Sequence, residues 1–439
     1  MKHILFIGDF RPANNYGSIA TTETLEKLLV NVAKDAEIRI IDKRSYGTPT
    51  PLGGFLPLNV KDNSVKGIIK RMVPATLIPQ LQKWNKKLKK GLGLKRSHMP
   101  YRYSLFEEYY KDMMSGQYLQ YEKELFEWAD IVMVNGEGTI VNGTDKEGKY
   151  SLGGLYTLYM TWLAKEKFKK PTCLVNHTVD PANSDAYEII EKLYPKLDYV
   201  CVREPLSLVK LKEHGITNAQ FIPDSLFSYT PVEDWKPSAE LSKQIDFSKP
   251  YICVGDSAGI WKNPYLPTVK WDVVEVFSNL ITELQKVVPQ IIFVDGFNES
   301  SKEVNKVIKK FGLGYVNLNN CSYHDLFYVF KGAEIFISGR WHNSILSCVA
   351  NTPILLWGSD SHKTRALYTI LDNYPYTFFN INSFPIHTKD MADSARSVIE
   401  NKVAVKKLIK EKVDIYSKLT VGNVAFVKDF IDGNLKEVK

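Results

Sequence analysis

Residues 334–344 read EIFISGRWHNS and place a short apolar run directly before a glycine, an arginine and the polar start of a helix. An apolar run that leads into a helix is typical of a buried strand in a parallel sheet, because helices cover both faces of such a sheet. The same pattern recurs elsewhere, at residues 3–9 (HILFIGD), 131–139 (IVMVNGEGT), 199–205 (YVCVREP) and 219–225 (AQFIPDS). The sequence therefore predicts an α/β protein.

Strand and helix signals alternate in two blocks, with a stretch between them that lacks a strand period. We predict a Rossmann-like domain over residues 1–230 with an insertion at 44–115, a linker over 231–249, and a second Rossmann-like domain over 250–388. A helical tail follows over 389–439. The predicted fold is two doubly wound domains that face a cleft, with ligands bound at the carboxyl ends of the strands.

The composition indicates a globular protein rather than a fibrous or disordered one. Of 439 residues, 44% are hydrophobic and 24% charged, which is ordinary for a chain of two or three domains. The five cysteines are odd in number and show no metal-ligand spacing, so we expect a reducing compartment. No apolar run approaches a membrane span, and the first residues turn polar too soon for a signal peptide. We predict a cytoplasmic protein.

The net charge of +8 comes from one basic segment, residues 63–106, which holds eleven Lys and Arg side chains and no Asp or Glu. Leu77, Leu81, Trp84 and Leu88 within it follow helical spacing, so we predict a basic amphipathic helix. Such a helix suits the anionic inner surface of a membrane, which would make the protein peripheral there. A solvated helix that packs on its own domain is the alternative. Nucleic acid is not expected, since no reader motif accompanies the charge.

Two loops that follow strands are candidates for binding a sugar. The first contains Asn14, Asn15, Gly17 and Ser18 and precedes a helix predicted to begin at Thr21 or Thr22. Free N–H groups at a helix start suit sugar hydroxyls or an anion, although an ordinary loop fits the pattern as well.

The second loop is Gly136-Glu137-Gly138, at the end of the strand that begins at Ile131. Its glycines permit close backbone approach to a ligand, and Glu137 is placed for acid or base chemistry. A plain tight turn with an exposed glutamate is the alternative interpretation.

Cationic and acid–base candidates lie at further strand ends. Arg203 is positioned to bind an anion, or to pair with a surface carboxylate, and Asp224 either faces the cleft or caps the following turn. Arg340 and His342 precede a helix predicted to begin at Ser344, where guanidinium, imidazole and N–H groups suit phosphate or carboxylate. A buried structural histidine beside a surface arginine is the alternative.

Several of these stretches, taken in order, resemble the polysaccharide pyruvyl transferase family. They are Asn15-Tyr16-Gly17, Val202-Arg203-Glu204 with Ser207 and Gly215, Pro223-Asp224, and Ser338-Gly339-Arg340-Trp341-His342 followed by Pro353 and Lys363. The resemblance spans about residues 1–375. It implies a GT-B-like fold, phosphoenolpyruvate as donor, and as acceptor a saccharide of a cell-surface polysaccharide or of its lipid-linked precursor.

The resemblance also implies roles for individual residues. Arg203, Arg340 and Lys363 would bind the donor's phosphate and carboxylate, with Asn343 and Ser344 beside them, and His342 would be the acid and base. Asp224 or Glu137 would activate the acceptor hydroxyl. The acceptor side would comprise Asn14, Asn15, Gly17, Ser18, Gly136 and Gly138. We predict no metal and no cofactor besides phosphoenolpyruvate as co-substrate.

Two departures from the family pattern keep other functions open. Ser18 stands where family members often carry an acidic residue, and Gly136-Glu137-Gly138 replaces a glycine triplet. A nucleotide-sugar glycosyltransferase on the same scaffold, with Glu137 as base, is the alternative enzyme. A saccharide-binding protein without activity is a third hypothesis, which the many ionisable groups at strand ends disfavour.

Overall fold

The computed structural model describes residues 1–11, 15–42, 100, 102–141, 152–181, 184–260, 269–296, 301–372 and 374–435. Most of the predicted basic insertion and of segment 63–106 therefore lies outside the described residues, and so does Asn14.

The first half of the described chain forms a parallel sheet from aliphatic runs whose side chains point alternately to its two faces. Its six strands are β1 (His3–Asp9), β2 (Glu37–Asp42), β3 (Ile131–Ile140), β4 (Thr172–Val179), β5 (Tyr199–Val202) and β6 (Ala219–Phe221). Their spatial order is β2-β1-β3-β4-β5-β6, a doubly wound order whose topological switch point lies between β1 and β3.

Helices cover both faces of this sheet. They are α1 (Tyr16–Val32), α2 (Phe106–Met114), α3 (Gln120–Trp128), α4 (Leu152–Trp162), α5 (Ser184–Leu193) and α6 (Pro205–Glu213). Leu25 and Leu29 of α1 pack with Ile4 and Phe6 on one face. On the other face, Leu5 packs in a core that also contains residues of α2, α3, α4, α5 and α6.

A short helix, α7 (Ala239–Gln244), lies in the predicted linker and is capped by the hydroxyl of Ser238. The described strands of the second sheet are β7 (Tyr251–Ser257), β8 (Gln290–Val294), β9 (Gly314–Val316), β10 (Ile335–Gly339) and β11 (Ile354–Leu356). Their order is β11-β10-β7-β8-β9, all parallel, so the switch point lies between β7 and β10.

The helices around the second sheet are α8 (Val273–Gln285), α9 (Lys302–Phe311), α10 (Tyr323–Gly332), α11 (Trp341–Val349) and α12 (Lys363–Leu371). One core contains Tyr16 and Ala20 of α1 together with residues of this second sheet, so α1 joins the two halves. The fold is thus α/β with two Rossmann-like domains, as the sequence predicted.

The tail is helical and returns to the first sheet. It consists of α13 (Thr388–Glu400), α14 (Lys402–Leu419), a 3-10 turn (Thr420–Val424) and α15 (Ala425–Ile431). Val424, Phe426 and Val427 pack with Ile4 and Phe6 under the first sheet. The predicted domain limits stay predictions.

Two helix starts differ from the sequence prediction. Helix α1 begins at Tyr16 rather than at Thr21 or Thr22, because the Asn15 side chain accepts the N–H groups of Gly17 and Ser18 and caps the helix. Helix α11 begins at Trp341 rather than Ser344, so that His342 lies in its first turn.

Candidate active site

A cavity of about 160 Å³ lies between the two sheets, at the carboxyl ends of their strands. Both switch points contribute to its wall, since Glu137 lies in the carboxyl-terminal part of β3 and Arg340 follows β10. The predicted site residues that line it are Asn15, Ser18, Glu137, Gly138, Arg203, Arg340, His342, Asn343 and Lys363. Gly17, Gly136, Asp224 and Ser344 are not among the lining residues.

His342 meets Arg203 across the boundary between the domains. Its Nε2 atom lies 2.9 Å from Nη1 of Arg203. A guanidinium can only donate, so Nε2 accepts this hydrogen bond when that atom carries no proton. The same Nε2 atom is 3.5 Å from a carboxylate oxygen of Glu137 and of Asp224, so a protonated ring would have anionic neighbours.

The Asp224 carboxylate is fully buried and already accepts several donors. Its Oδ1 accepts Thr21 Oγ1 at 2.8 Å and the Leu226 N–H at 3.0 Å. Its Oδ2 accepts Arg203 Nη1 and Trp341 Nε1, both at 3.0 Å. With its lone pairs occupied, Asp224 is arranged to hold Arg203 and Trp341 rather than to take a proton from an acceptor.

Electrostatics agree with that assignment. Burial alone would raise the pKa of the Asp224 carboxyl, but His342, Arg203 and the Trp341 N–H together hold it well below its usual range. The sequence hypothesis that Asp224 activates the acceptor is therefore disfavoured, and Glu137 is the better placed carboxylate.

Glu137 lies in the cavity wall on a strained backbone. Its φ of 44° is in the left-handed region, which side-chain-bearing residues rarely adopt and which is enriched at functional sites. One carboxylate oxygen accepts the Gly138 N–H, and the other faces His342. Burial would raise the pKa of Glu137, but the charges of His342, Arg203 and Lys363 outweigh it, so the pKa is lowered and the group is ionised at neutral pH.

Arg340 is held by a buried carboxylate that sequence reasoning missed. Asp256 accepts Nε at 2.5 Å and Nη2 at 2.8 Å in a two-pronged pair, and its side chain is completely buried. The sequence did contain a signal for this residue, because Asp256 lies near the carboxyl end of β7, next to the switch point of the second sheet. Its partner is 84 residues away, which no local pattern shows.

Lys363 forms a local pair with Asp360 in the loop before α12. Its Nζ lies 2.9 Å from Oδ1 of that aspartate. Burial would raise the pKa of Asp360, but Lys363 and the Ser359 hydroxyl lower it overall.

The start of α11 has polar groups available to a ligand. Arg340 occupies the cap position and gives no side-chain cap to the first turn. Asn343 is 3% exposed, lines the cavity, and its Nδ2 has no hydrogen-bond partner. Ser344 instead turns its hydroxyl back onto the Arg340 carbonyl at 2.6 Å, so of the two predicted donor contacts only Asn343 reaches the cavity.

The two acceptor-side glycines outside the lining have packing roles. A Cβ atom on Gly136 would lie 2.5 Å from Cβ of His177, and one on Gly17 would collide with His342. Burial lowers the pKa of His177 to about 3, so this ring is neutral. Both positions permit close packing behind the wall, while Asn15, Ser18, Glu137 and Gly138 form its surface.

The cavity wall thus combines three cations, one ionised carboxylate and one imidazole. Each cation is oriented by a carboxylate behind it: Arg203 by Asp224, Arg340 by Asp256 and Lys363 by Asp360. Such an arrangement suits a small, multiply charged anion whose chemistry includes proton transfer.

The sequence model of polysaccharide pyruvyl transferases matches residues 15–361. The chain belongs to the polysaccharide pyruvyl transferase family. This confirms the family that the motifs predicted, and the match spans all the predicted site residues of the second domain except Lys363. Comparison with curated protein sequences finds no match.

Solved structures show the fold. The chain is similar to a putative UDP-N-acetylglucosamine 2-epimerase from Listeria monocytogenes (TM-score 0.56, 10% identity, covering 98% of this chain and 97% of that one). It is also similar to sucrose-phosphate synthase from Thermosynechococcus elongatus (TM-score 0.52, 12% identity, 99% and 98% covered). A third is UDP-GlcNAc 2-epimerase from Neisseria meningitidis bound to UDP-GlcNAc (TM-score 0.52, 11% identity, 98% and 100% covered). At these identities the similarity shows the GT-B arrangement alone.

Within the described ranges, no helix is long and apolar enough to cross a bilayer. The same ranges contain no group of three or more His, Cys, Asp or Glu residues placed to hold a metal ion.

Proposed function

We propose that this transferase moves a pyruvyl group from phosphoenolpyruvate to a saccharide and forms a ketal. The observation that carries the proposal is the cavity of about 160 Å³, whose wall contains Arg203, Arg340 and Lys363 together with one histidine, His342. Pockets for drug-sized ligands are roughly 300–1,000 Å³, so this volume favours a three-carbon donor over a nucleotide sugar.

The donor would be bound by its two anionic groups. Asn343 and the N–H groups at the start of α11 lie beside Arg340 and suit an anion, because a helix N-terminus carries partial positive charge. Arg203 and Lys363 supply the remaining charge. An anionic group on Arg203 would compete with His342 for Nη1, which would leave the imidazole able to carry a proton on Nε2.

The reaction follows from protonation of the enol. His342 gives a proton to the methylene carbon, which becomes a methyl group and leaves a cationic carbon at C2. A sugar hydroxyl attacks C2, and Glu137 takes the hydroxyl proton. The C2–O bond to phosphate then breaks, and a second hydroxyl of the same sugar closes the ketal, its proton leaving with phosphate. Each general acid or base step contributes about 10²–10⁴-fold.

The acceptor proposed is a saccharide of an exopolysaccharide or capsule, or its lipid-linked precursor. Basic segment 63–106 would bring the cytoplasmic enzyme to the anionic inner face of the membrane, where a lipid-linked acceptor lies.

A nucleotide-sugar glycosyltransferase is the second candidate, favoured by the GT-B fold and by the similar epimerase bound to UDP-GlcNAc. Thermal-shift titration with phosphoenolpyruvate and with a panel of nucleotide sugars separates the two. A ligand at 100 times its Kd stabilises a protein by about 2.7 kcal/mol. Stabilisation by phosphoenolpyruvate, and its acceptor-dependent release of phosphate, are expected. A shift with a nucleotide sugar alone would overturn the proposal in favour of the second candidate.

A further inference from the structure

A histidine of the second domain lies between two carboxylates of the first. His362, just before α12, has its Nε2 2.9 Å from Oε1 of Glu204. Its Nδ1 lies 3.2 Å from Oδ2 of Asp180, which also accepts the His362 backbone N–H at 2.8 Å. Asp180 directly follows β4, and Glu204 directly follows Arg203.

The three side chains are largely withdrawn from water. His362 is 12% exposed, Asp180 17%, and Glu204 is completely buried. Glu204 also caps α6 by accepting the Ser207 N–H, and Lys210 Nζ lies 2.7 Å from the other oxygen of Asp180. The electrostatic attraction between these charged groups is stronger than in exposed ion pairs, because solvent screens it less.

Sequence neighbours connect this cluster to the cavity. Glu204 adjoins Arg203, and His362 adjoins Lys363, whereas Asp180, Glu204 and His362 themselves are not among the residues that line the cavity. A pair that fixes Glu204 against His362 therefore also restrains Arg203 and Lys363, two of the cations in the cavity wall.

We propose that His362, Asp180 and Glu204 form an inter-domain latch that positions Arg203 and Lys363 for the donor. His362 is in this view a positioning residue rather than a catalytic one. The effect on donor binding rests on the proposed function, whereas the pairing of the two domains through His362 does not.

The protonation state of His362 agrees with the latch. Burial would lower its pKa, but Asp180 and Glu204 raise it to about 9, so the ring is charged at neutral pH. The other charged groups nearby are Lys210 on the far side of Asp180, Asp360 in the loop before α12, and Lys363 at the first position of α12.

The test replaces the charged His362 side chain and measures hydrogen exchange in each of the two domains. In the full chain, His362→Gln should speed hydrogen exchange in both α6 (Pro205–Glu213) and α12 (Lys363–Leu371). It should also raise the Kd for phosphoenolpyruvate by about tenfold, within the usual range of coupling between sites. His362→Lys, which keeps a positive charge, should partly restore both the slow hydrogen exchange and the lower Kd. The matched control is His387→Gln, since His387 pairs with Asp390 at 2.8 Å on the exposed surface of the second domain.

A second variant covers the outcome in which His362→Gln fails to fold. Asp180→Asn keeps an oxygen that can accept the His362 backbone N–H, but it removes one negative charge. It should therefore show smaller increases in hydrogen exchange and in the Kd for phosphoenolpyruvate. Unchanged exchange in α6 and α12 in the folded variants would overturn the latch. Faster exchange with an unchanged Kd would overturn its positioning role. If the wild-type chain does not bind phosphoenolpyruvate, the proposed donor is wrong, and the exchange comparison alone decides the latch.

Discussion

A Cβ atom on Gly17 would lie 2.3 Å from Nδ1 and 2.4 Å from Cβ of His342, so helix α1 of one domain packs directly on the imidazole of the other. Only glycine leaves this space, and the ring reaches Arg203 and Glu137 because of it. The acid–base candidate is therefore held in place by a backbone of the opposite domain.

Gly17→Ala tests this packing. Alanine at a helical glycine normally stabilises by about 0.5–1 kcal/mol. Here we expect the opposite sign, a loss of about 1–3 kcal/mol from overpacking, together with a reduced kcat. Thermal melting and phosphate release measure the two effects, with Val30→Ala on the exposed side of α1 as control. A more stable variant with normal turnover would contradict the predicted collision.

His342→Ala should fold normally and lose about 10²–10⁴-fold in turnover, which is the usual contribution of a general acid or base. The residue is in the first turn of α11 at the cavity wall, so its removal empties little of the core. Initial rates of phosphate release measure the loss. His214→Gln is the control, because His214 forms a comparable pair with Glu191 on the surface. A near-normal rate would exclude His342 as acid and base.

Arg340→Lys should weaken donor binding by about tenfold or more. Lysine is a point charge and cannot occupy both oxygens of Asp256, whose buried carboxylate then loses a partner. Calorimetric titration with phosphoenolpyruvate measures the Kd. Arg365→Lys, an exposed change on α12, should leave it unaltered. A changed acceptor constant with an unchanged donor constant would reverse our assignment of the two sides.

The latch predicts a pH dependence of stability. The pKa of His362 is raised to about 9 in the folded chain, while an unfolded histidine has a pKa of about 6.5. Its contribution is therefore complete below about pH 6.5 and is lost as pH rises through about 9. Urea unfolding at several pH values should show a steeper loss of free energy of unfolding above pH 7 in the wild type than in His362→Gln. Parallel curves for the two proteins would count against the charged pair.

Basic segment 63–106 predicts membrane binding that depends on salt. The protein should bind anionic vesicles, and binding should fall between 0.1 M and 1 M salt as the Debye length shrinks from about 10 to about 3 Å. Neutralising Lys86, Lys87, Lys89 and Lys90 together should weaken vesicle binding and leave activity on a soluble acceptor unchanged. Vesicle sedimentation measures the binding, and phosphate release measures the activity. Equal binding to neutral and anionic vesicles would mean that the lysines only form a solvated helix face.

Several strands were predictable because they contain a continuous apolar run that leads into glycine or a polar residue. Ile131–Val134 and Ile335–Ser338, for example, lie inside β3 and β10. The start of α1 was not predictable in the same way, because Asn15 was interpreted as part of a loop whereas its side chain caps the helix. Helix propensity of the following residues does not reveal a cap that depends on one asparagine rotamer.

The site was predictable in its members but not in its pairs. Strand-end position identified Arg203, Arg340 and His342, since parallel strands bring such residues to one edge. The carboxylates that orient these side chains are far from them in the sequence or belong to the facing domain. Local residue spacing therefore does not predict the pairs. Asp360 is the exception, three residues from Lys363.

The return of the tail to the first sheet has a consequence for synthesis. Val424, Phe426 and Val427 cover apolar side chains of β1 and β3, although they follow the strands of both sheets in the chain. A nascent chain that has finished both sheets but not α15 still exposes part of that face. The first sheet is thus covered only after the second sheet has been made, and until then it presents an apolar surface of the kind that chaperones recognise.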